Sequence, residues 1–588
     1  MIKSSVHGAS VCPLPQSIAA IVACLVLIAG AVEPVVAAPQ PVQESPSNPG
    51  ADASSSSGLH FTDITATSAI DFTTTSGQMP ATQILEVNGG GLALLDFDND
   101  GDLDLFVSNG ATLENTERGP GCRMYENISD GTGIQFRDIT EQAGVKVTRW
   151  AFGATAGDYD GDGFDDLFIS CFGPDVLLHN TGKGAFEDVT YKSGATDDRW
   201  SSSASWGDID NDGDLDLYVA NYLVFDPKHP PPHDQFKGVG VMGGPHGMTP
   251  QADSLYENRG DGTFRDITDQ SGCGSARPSY GLNVVMIDVD RDGRQDISVA
   301  NDSMPGFLFH NEGTSTPRFK EIGVPSGMAS NADGGNQAAM GVAFADVDGN
   351  GFPDKFTTVF SSDTNALHMN TDGSLFEDRA QQYGLAMISR PYLGWATAFF
   401  DFDHDGDEDL LMFNGHVYPN ATMQSMDSDY EQAPLYFARD GKRFKRVTPE
   451  VAGEWAARKG RDRCAAWGDL DNDGDIDMIV GGINSPVRVL QNDAASKNST
   501  DWLIVSLRDD RPESKNRRGI GSMIELTVGD RKQTRWLYSG GSFQSSNAPY
   551  VHFGIPSEWL VGGAKPALNI IWSDGTKQQV QDVVAGRH

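Results

Sequence analysis

The chain is poor in cysteine. Six cysteines are spread over 588 residues, too few for a disulfide-built scaffold. Beyond the N-terminal segment only Cys122, Cys171, Cys273 and Cys464 remain. None belongs to a Cys-x-x-Cys pair, which excludes the common zinc and dithiol redox motifs, and their spacing specifies no pairing. Basic residues are also scarce: 43 Lys and Arg stand against 82 Asp and Glu, a net charge of −39. A chain this acidic repels phosphate backbones, so nucleic acid is excluded as a main partner. There is no Gly-x-Ser-x-Gly elbow, no Walker A loop and no His-Glu-x-x-His helix. One apolar run exists, Ile18 to Val32, shorter than the roughly 20 residues of a membrane span.

That run follows Lys3 and precedes the small residues Val36-Ala37-Ala38, which reads as a secretory signal peptide over 1–38. An uncleaved anchor is the rival reading; a lipoprotein signal is weaker because Cys24 sits in mid-run. Residues 39–57, rich in Pro, Ser, Gln and Gly, are expected to be a flexible linker. The expected location is secreted or at the cell envelope, with no integral span once the signal is removed.

What the chain has in quantity is glycine, 67 residues, and aspartate in one recurring pattern. Asp-x-Asp-x-Asp/Asn-Gly-x-x-Asp occurs seven times, beginning at Asp96, Asp158, Asp208, Asp288, Asp346, Asp401 and Asp469. The intervals vary from 50 to 80 residues, as in a repeat with loops of different length. The sixth residue is always Gly and the seventh varies freely. Alternate acids in a tight turn converge on one point, and their oxygens suit a hard cation with six to eight ligands, namely calcium. Glycine allows the sharp turn, and a free seventh position fits a backbone carbonyl ligand. Thirty-two Asp lie in these loops; without a cation they would repel.

The candidate ligands are the first, third, fifth and ninth residues. They are Asp96, Asp98, Asp100 and Asp104; Asp158, Asp160, Asp162 and Asp166; Asp208, Asp210, Asp212 and Asp216; Asp288, Asp290, Asp292 and Asp296. The last three sets are Asp346, Asp348, Asn350 and Asp354; Asp401, Asp403, Asp405 and Asp409; Asp469, Asp471, Asp473 and Asp477. Up to about seven calcium ions follow from one ion per loop. An EF-hand is excluded, because that loop needs Glu at the twelfth position and the residues there are Val107, Ile169, Val219, Val299, Thr357, Met412 and Val480.

Around each loop the sequence reads as β. A strand such as Leu217-Tyr218-Val219-Ala220 follows the loop, then a strand ending in Asn such as Leu255-Tyr256-Glu257-Asn258, then Phe-x-Asp-x-Thr, as in Phe264 to Thr268. Four strands per unit predict an all-β, seven-bladed β-propeller over 58–495. The seventh unit lacks its Phe-x-Asp-x-Thr strand, and an orphan copy, Phe61-Thr62-Asp63-Ile64-Thr65, precedes the first. That orphan is expected to complete the last blade and lock the ring.

These loops and Asn-ending strands resemble FG-GAP/VCBS repeats, the integrin-α type of propeller. Asn516-Arg517-Arg518-Gly519, Gly540-Gly541-Ser542-Phe543-Gln544-Ser545, Val551-His552-Phe553-Gly554 and Trp572-Ser573-Asp574-Gly575 resemble the ASPIC/UnbV domain. The combination is similar to the cartilage-acidic-protein-like (CRTAC) family. The resemblance implies a secreted calcium-binding propeller with a small β-rich C-terminal domain over 500–588, and no known enzyme activity. Positions one, three, five and nine match the family's calcium ligands. Asn350 and Lys355 in the fifth unit are expected to weaken binding there, and Arg291 and Arg294 inside the fourth loop to lower its local negative charge.

An insertion at about 222–250 carries His229, His233 and His246 among Pro and Gly; a Pro-stiffened surface loop is the simpler reading, a metal or ligand loop the sharper one. Asn301-Asp302-Ser303 and Asn414-Gly415-His416-Val417-Tyr418-Pro419 read first as turn chemistry. Trp206, Trp395 and Trp467 read as core packing before sugar platforms. No residue is put forward as catalytic. The leading functional expectation is a non-enzymatic binding or adhesion scaffold for an extracellular protein or polysaccharide. The alternative is an extracellular polysaccharide-active enzyme, a lyase or hydrolase, on a propeller face.

Overall fold

A computed structural model of the chain describes residues 61–130, 133–313, 315–494, 501–512 and 514–588. The signal peptide and linker expectations lie outside these residues.

Seven four-stranded antiparallel sheets follow one another along the chain. Each begins with an inner strand that ends in an Asp loop: Leu92–Leu95, Ala151–Gly157, Ser201–Gly207, Gly281–Ile287, Ala339–Ala345, Gly394–Phe400 and Asp462–Gly468. Each inner strand packs on the next, and the last packs on the first. The result is a closed ring of seven blades, a β-propeller. Small residues recur in these strands where backbones converge near the axis. A Cβ on Gly153, for example, would lie 2.9 Å from the carbonyl oxygen of Ser202 in the next blade.

The orphan segment closes the ring. Phe61–Asp63 pairs antiparallel with Arg488–Asn492, with Phe61 opposite Asn492. It becomes the outer strand of the seventh blade, whose other three strands come from residues 462–492. Phe61 is buried and packs edge-on against Phe402 and Trp455, tying sequence ends together across the whole propeller.

The C-terminal residues form a separate β module. Arg531–Trp536, Met523–Val528, Ala567–Ile571 and Lys577–Val580 make one sheet, and Asp501–Val505 pairs with Val551–Ile555. Its core holds Leu503, Ile524, Leu526, Phe553 and Ile555. The module lies on the Asp-loop face of the ring. The N–H groups of Lys515 and Asn516 both donate to the Gly213 carbonyl at 2.8 and 2.7 Å, and Arg518 pairs with Asp165 at 3.1 Å. The segment 540–546 enters the axial channel: Gly540 bridges Val285, Ser542 bridges Val342 and Ser546 bridges Ala93. Phe543 packs edge-on against Trp395, ring centroids 4.9 Å apart. The motifs at 516–519 and 540–545 that carry the ASPIC/UnbV resemblance are thus parts that grip the propeller.

Cys122, Cys171, Cys273 and Cys464 are free and buried. Asn127 and Asn301, each the first residue of an Asn-x-Ser sequence that could accept a glycan, are buried with their amides donating to backbone carbonyls, which leaves no glycan acceptor exposed there in the folded chain.

Candidate metal centre

Each Asp loop is a nine-residue turn wired by its own side chains. In the third loop the Asp208 carboxylate accepts the N–H groups of Asp212 at 3.2 Å and Gly213 at 3.1 Å. Asp212 in turn accepts the N–H of Asp214 at 3.0 Å. All seven glycines at the sixth position have φ between 84° and 97°, a left-handed conformation that a side chain would strain. The fourth residue is left-handed too, which explains Asn and Gly at five of the seven positions; Arg291 and His404 are the others.

The ninth Asp is buried at the base of the turn in every loop. In the third, Asp216 accepts the N–H of Ile209 at 3.0 Å and of Asn258 at 2.8 Å. Each of these oxygens retains a lone pair for a cation. Ligand atoms of Asp96, Asp98 and Asp104 lie within 4.8 Å of one another, as do those of Asp158, Asp160 and Asp166, and of Asp208, Asp210 and Asp216. In the remaining loops the acids of each turn sit near enough to raise one another's pKa values: Asp288 with Asp290, Asp292 and Asp296; Asp354 with Asp346 and Asp348; Asp409 with Asp401, Asp403 and Asp405; Asp477 with Asp469 and Asp471.

The donor set fits a hard divalent cation. Burial, then the charges of Asp212 and Asp210, pushes Asp208 up to about 8. Burial likewise pushes Asp104 and Asp354 up to about 8. Carboxylates held this way are short of positive charge. Oδ1 of Asp210, Asp346 and Asp471 is buried with no hydrogen-bond partner among the described residues, although buried acceptors are ordinarily satisfied. An ion at the centre of the turn would satisfy both deficits, and the carboxylate oxygens of the turns suit calcium.

Sequence reasoning missed the residue just before the strand-ending Asn, which leans over the loop. It is a histidine in the second and fourth blades. His179 Nδ1 lies 3.2 Å from Asp166 and 3.3 Å from Asp160; His310 Nδ1 lies 3.0 Å from Asp296. Hydrogen bonding to the ninth Asp pushes each imidazole up to about 9. In the seventh blade Gln491 donates to Asp471 at 2.8 Å. The position was visible only as strand sequence, since nothing local marks which face it takes. Two expected perturbations act differently. Arg291 turns away to pair with Glu525 at 3.3 Å, while Arg294 does bind Asp292. Lys355 is not in the fifth loop at all: its side chain is buried between blades, opposite His368 on the neighbouring strand.

A second feature lies at the other end of the strands. The insertion folds into a hairpin, Asp234–Phe236 with Val239–Val241, and covers part of a cavity of about 490 Å³. The starts of three inner strands, with Leu282, Met340 and Trp395, form an apolar floor. Asp302, Phe360 and Tyr418 wall it from loops that follow the second strands. Tyr222 donates to Asp302 at 2.6 Å. Of the three insertion histidines, His246 lines the cavity, while His229 is exposed and pairs with Asp226 at 2.8 Å. Trp206, Trp395 and Trp467 are buried in the core.

The FG-GAP-like repeat family matches residues 96–169, 158–219, 247–299, 288–357 and 346–412, and the ASPIC and UnbV family matches residues 512–588. The chain belongs to the FG-GAP-repeat proteins with a C-terminal ASPIC/UnbV domain. It is homologous to cartilage acidic protein 1. This FG-GAP chain is 25% identical to the Xenopus tropicalis protein over 344 residues, covering 56% of this chain and 47% of that one. It is 24% identical to the Homo sapiens protein over 353 residues, covering 58% and 47%. The chain therefore spans about half the length of the curated relatives it matches. Among solved structures, a lectin of Agrocybe aegerita that recognises non-reducing terminal N-acetylglucosamine aligns at 16% identity and TM-score 0.35, covering 67% of this chain and 85% of that one. An exotype rhamnogalacturonan lyase aligns at 12% identity and TM-score 0.37, covering 72% and 74%. Scores this low carry no information on ligand or reaction. Among the described residues, no helix is long and apolar enough to cross a membrane.

Proposed function

We propose that this FG-GAP chain is a secreted, non-enzymatic binding protein whose propeller is stiffened by calcium in the seven Asp loops. The observation that carries the reading is the set of buried ligand oxygens without partners, on Asp210, Asp346 and Asp471, in turns whose acids are pushed far above the usual carboxylate range. A cation bound only by the folded state stabilises it by mass action. The C-terminal module occupies the Asp-loop face, so the calcium serves the scaffold and its cap. The opposite face, with its cavity and hairpin, is left for an extracellular protein or polysaccharide.

The test is the metal content of the purified mature protein, with thermal melts in calcium and in chelator. About one calcium per loop and a large fall in Tm on chelation support the reading. No bound calcium and no shift would reduce the loops to acidic turns and remove the scaffold role.

A second reading, an extracellular polysaccharide-active enzyme, rests on the convergence of Tyr222, Asp302 and His246 on the cavity. Burial raises the Asp302 carboxyl, opposed by hydrogen bonds from Tyr222 and Ser303. Turnover of an extracellular polysaccharide that is abolished in Asp302→Asn, with an unchanged melt, would favour it over simple binding.

A further inference from the structure

We propose that His404, His552 and Asp475 form a transition-metal site at the seam between the propeller and the C-terminal module, one that takes zinc or a similar first-row divalent ion. The three residues come from three separate places. His404 is the fourth residue of the sixth Asp loop, Asp475 the seventh residue of the seventh loop, and His552 belongs to the strand Val551–Ile555 of the module. All three are at least 97% buried.

The sixth loop departs from its siblings in a specific way. In the first and third loops the fourth residue is Asn, and its amide donates to the carbonyl of the sixth-position glycine in the next loop: Asn99 to Gly163 at 2.9 Å, Asn211 to Gly293 at 3.0 Å. In the sixth loop that fourth residue is His404. The carbonyl of Gly474, the one an Asn would reach, lies 3.1 Å from His552 Nε2. His404 instead points Nε2 towards Asp475, 3.3 Å from Oδ1. The module is pressed close here: a Cβ on Gly554 would lie 2.6 Å from the Cα of His404.

This leaves buried imidazole nitrogens short of partners. Nδ1 of His404 and Nδ1 of His552 are buried without a hydrogen-bond partner among the described residues, where buried polar atoms are normally satisfied, and His404 Nε2 has only the Asp475 carboxylate beside it. His552 donates Nε2–H to a backbone carbonyl, which fixes the tautomer with its lone pair on Nδ1. That is the outer-shell arrangement of a metal-ligating imidazole. The ring centroids of His404 and His552 are 5.0 Å apart. Two imidazoles bound at about 2.0–2.1 Å to one tetrahedral ion would place their centroids roughly 5 Å apart. Two imidazole nitrogens with one carboxylate suit zinc and its neighbours, whereas calcium takes oxygen donors. The site is chemically distinct from the Asp loops and would clamp the module to the sixth and seventh blades.

The experiment uses the full mature chain in millimolar calcium, which competes with zinc for the Asp loops. Zinc is added at micromolar concentration, and retained metal is measured after gel filtration, with cobalt absorption as a second readout of imidazole ligation. The wild type is expected to retain one zinc ion per chain and to melt higher with zinc. His404→Asn, which restores the residue of the first, third and seventh loops, is expected to lose the zinc and the zinc-dependent shift while keeping its calcium. No zinc retained by the wild type, or equal retention by His404→Asn, overturns the proposal. If that variant does not fold, Asp475→Asn replaces it, at a position that varies freely among the loops. About ten-fold or greater weakening supports the site and unchanged affinity overturns it. Absence of calcium from the loops would leave these comparisons readable, because the variants differ at the seam alone.

Discussion

The side-chain amide of Asn258 donates to the main-chain carbonyl of Tyr159 at 2.8 Å, although the two residues belong to different blades. Tyr159 is the second residue of the preceding Asp loop, and the backbone N–H of Asn258 is held by Asp216 of its own loop. One asparagine therefore fastens its loop to its blade and its blade to the preceding one. Asn127 reaches Leu470, Asn180 reaches Phe97, Asn311 reaches Ile209, Asn370 reaches Val289 and Asn492 reaches Phe402 in the same way. In the sixth blade Arg439 takes the role and donates to Val347.

Asn258→Ala should therefore destabilise the propeller by about 2–3 kcal/mol, since two buried carbonyls, of Tyr159 and Leu215, lose their donor. Chemical denaturation in the presence of calcium measures it. A change under about 0.5 kcal/mol, typical of plain surface substitutions, would show that the staple carries no weight.

Asp216→Ala and Asp214→Ala separate ligand from neighbour. Asp216 lies in the cluster with Asp208 and Asp210, while the Asp214 side chain faces Lys515 at 3.7 Å. The first change should remove one calcium ion from the stoichiometry measured on the purified protein; the second should leave it intact. Equal calcium content in both would mean that the ninth position is not a ligand.

Lys355→Met should stabilise the protein at neutral pH. Burial lowers the Lys355 ammonium to about 8, and the other blades carry Leu105, Leu167, Leu217, Ile297, Leu410 and Met478 at this position. The folded-state pKa is depressed, so the cost of holding the charge is present in full below about 8 and fades as pH rises towards the ordinary lysine range. The shift corresponds to roughly 3 kcal/mol at pH 7. Melts of the variant and wild type should therefore converge near pH 10. A gain that does not shrink with pH would point to packing rather than charge.

Gly91→Ala should unseat the axial segment. An added Cβ would lie 1.7 Å from the carbonyl oxygen of Gln544, and that oxygen accepts the N–H of Ala154 at 3.1 Å. Overpacking of this kind costs about 1–3 kcal/mol. The variant should melt lower and be cleaved faster by protease within 539–549. Wild-type protease resistance would mean that the channel relaxes around the methyl group.

The amino-acid sequence by itself determined the repeat, the candidate ligands and the way the ring is closed. The acidic turn is written within nine residues, because alternate acids and one left-handed glycine are enough to build it. The orphan Phe61 to Asp63 strand was legible for the same reason: a missing piece and a spare piece share one local pattern. Only the tertiary structure decided what crosses between segments. That Asn258 reaches Tyr159, that the Lys355 side chain is buried between blades, that the C-terminal module covers the Asp loops, and that His404 meets His552 all depend on which faces meet after folding. Such contacts join residues far apart in the chain and have no period. Their physical basis is shape and hydrogen-bond complementarity between packed surfaces, which a local pattern of residues does not encode.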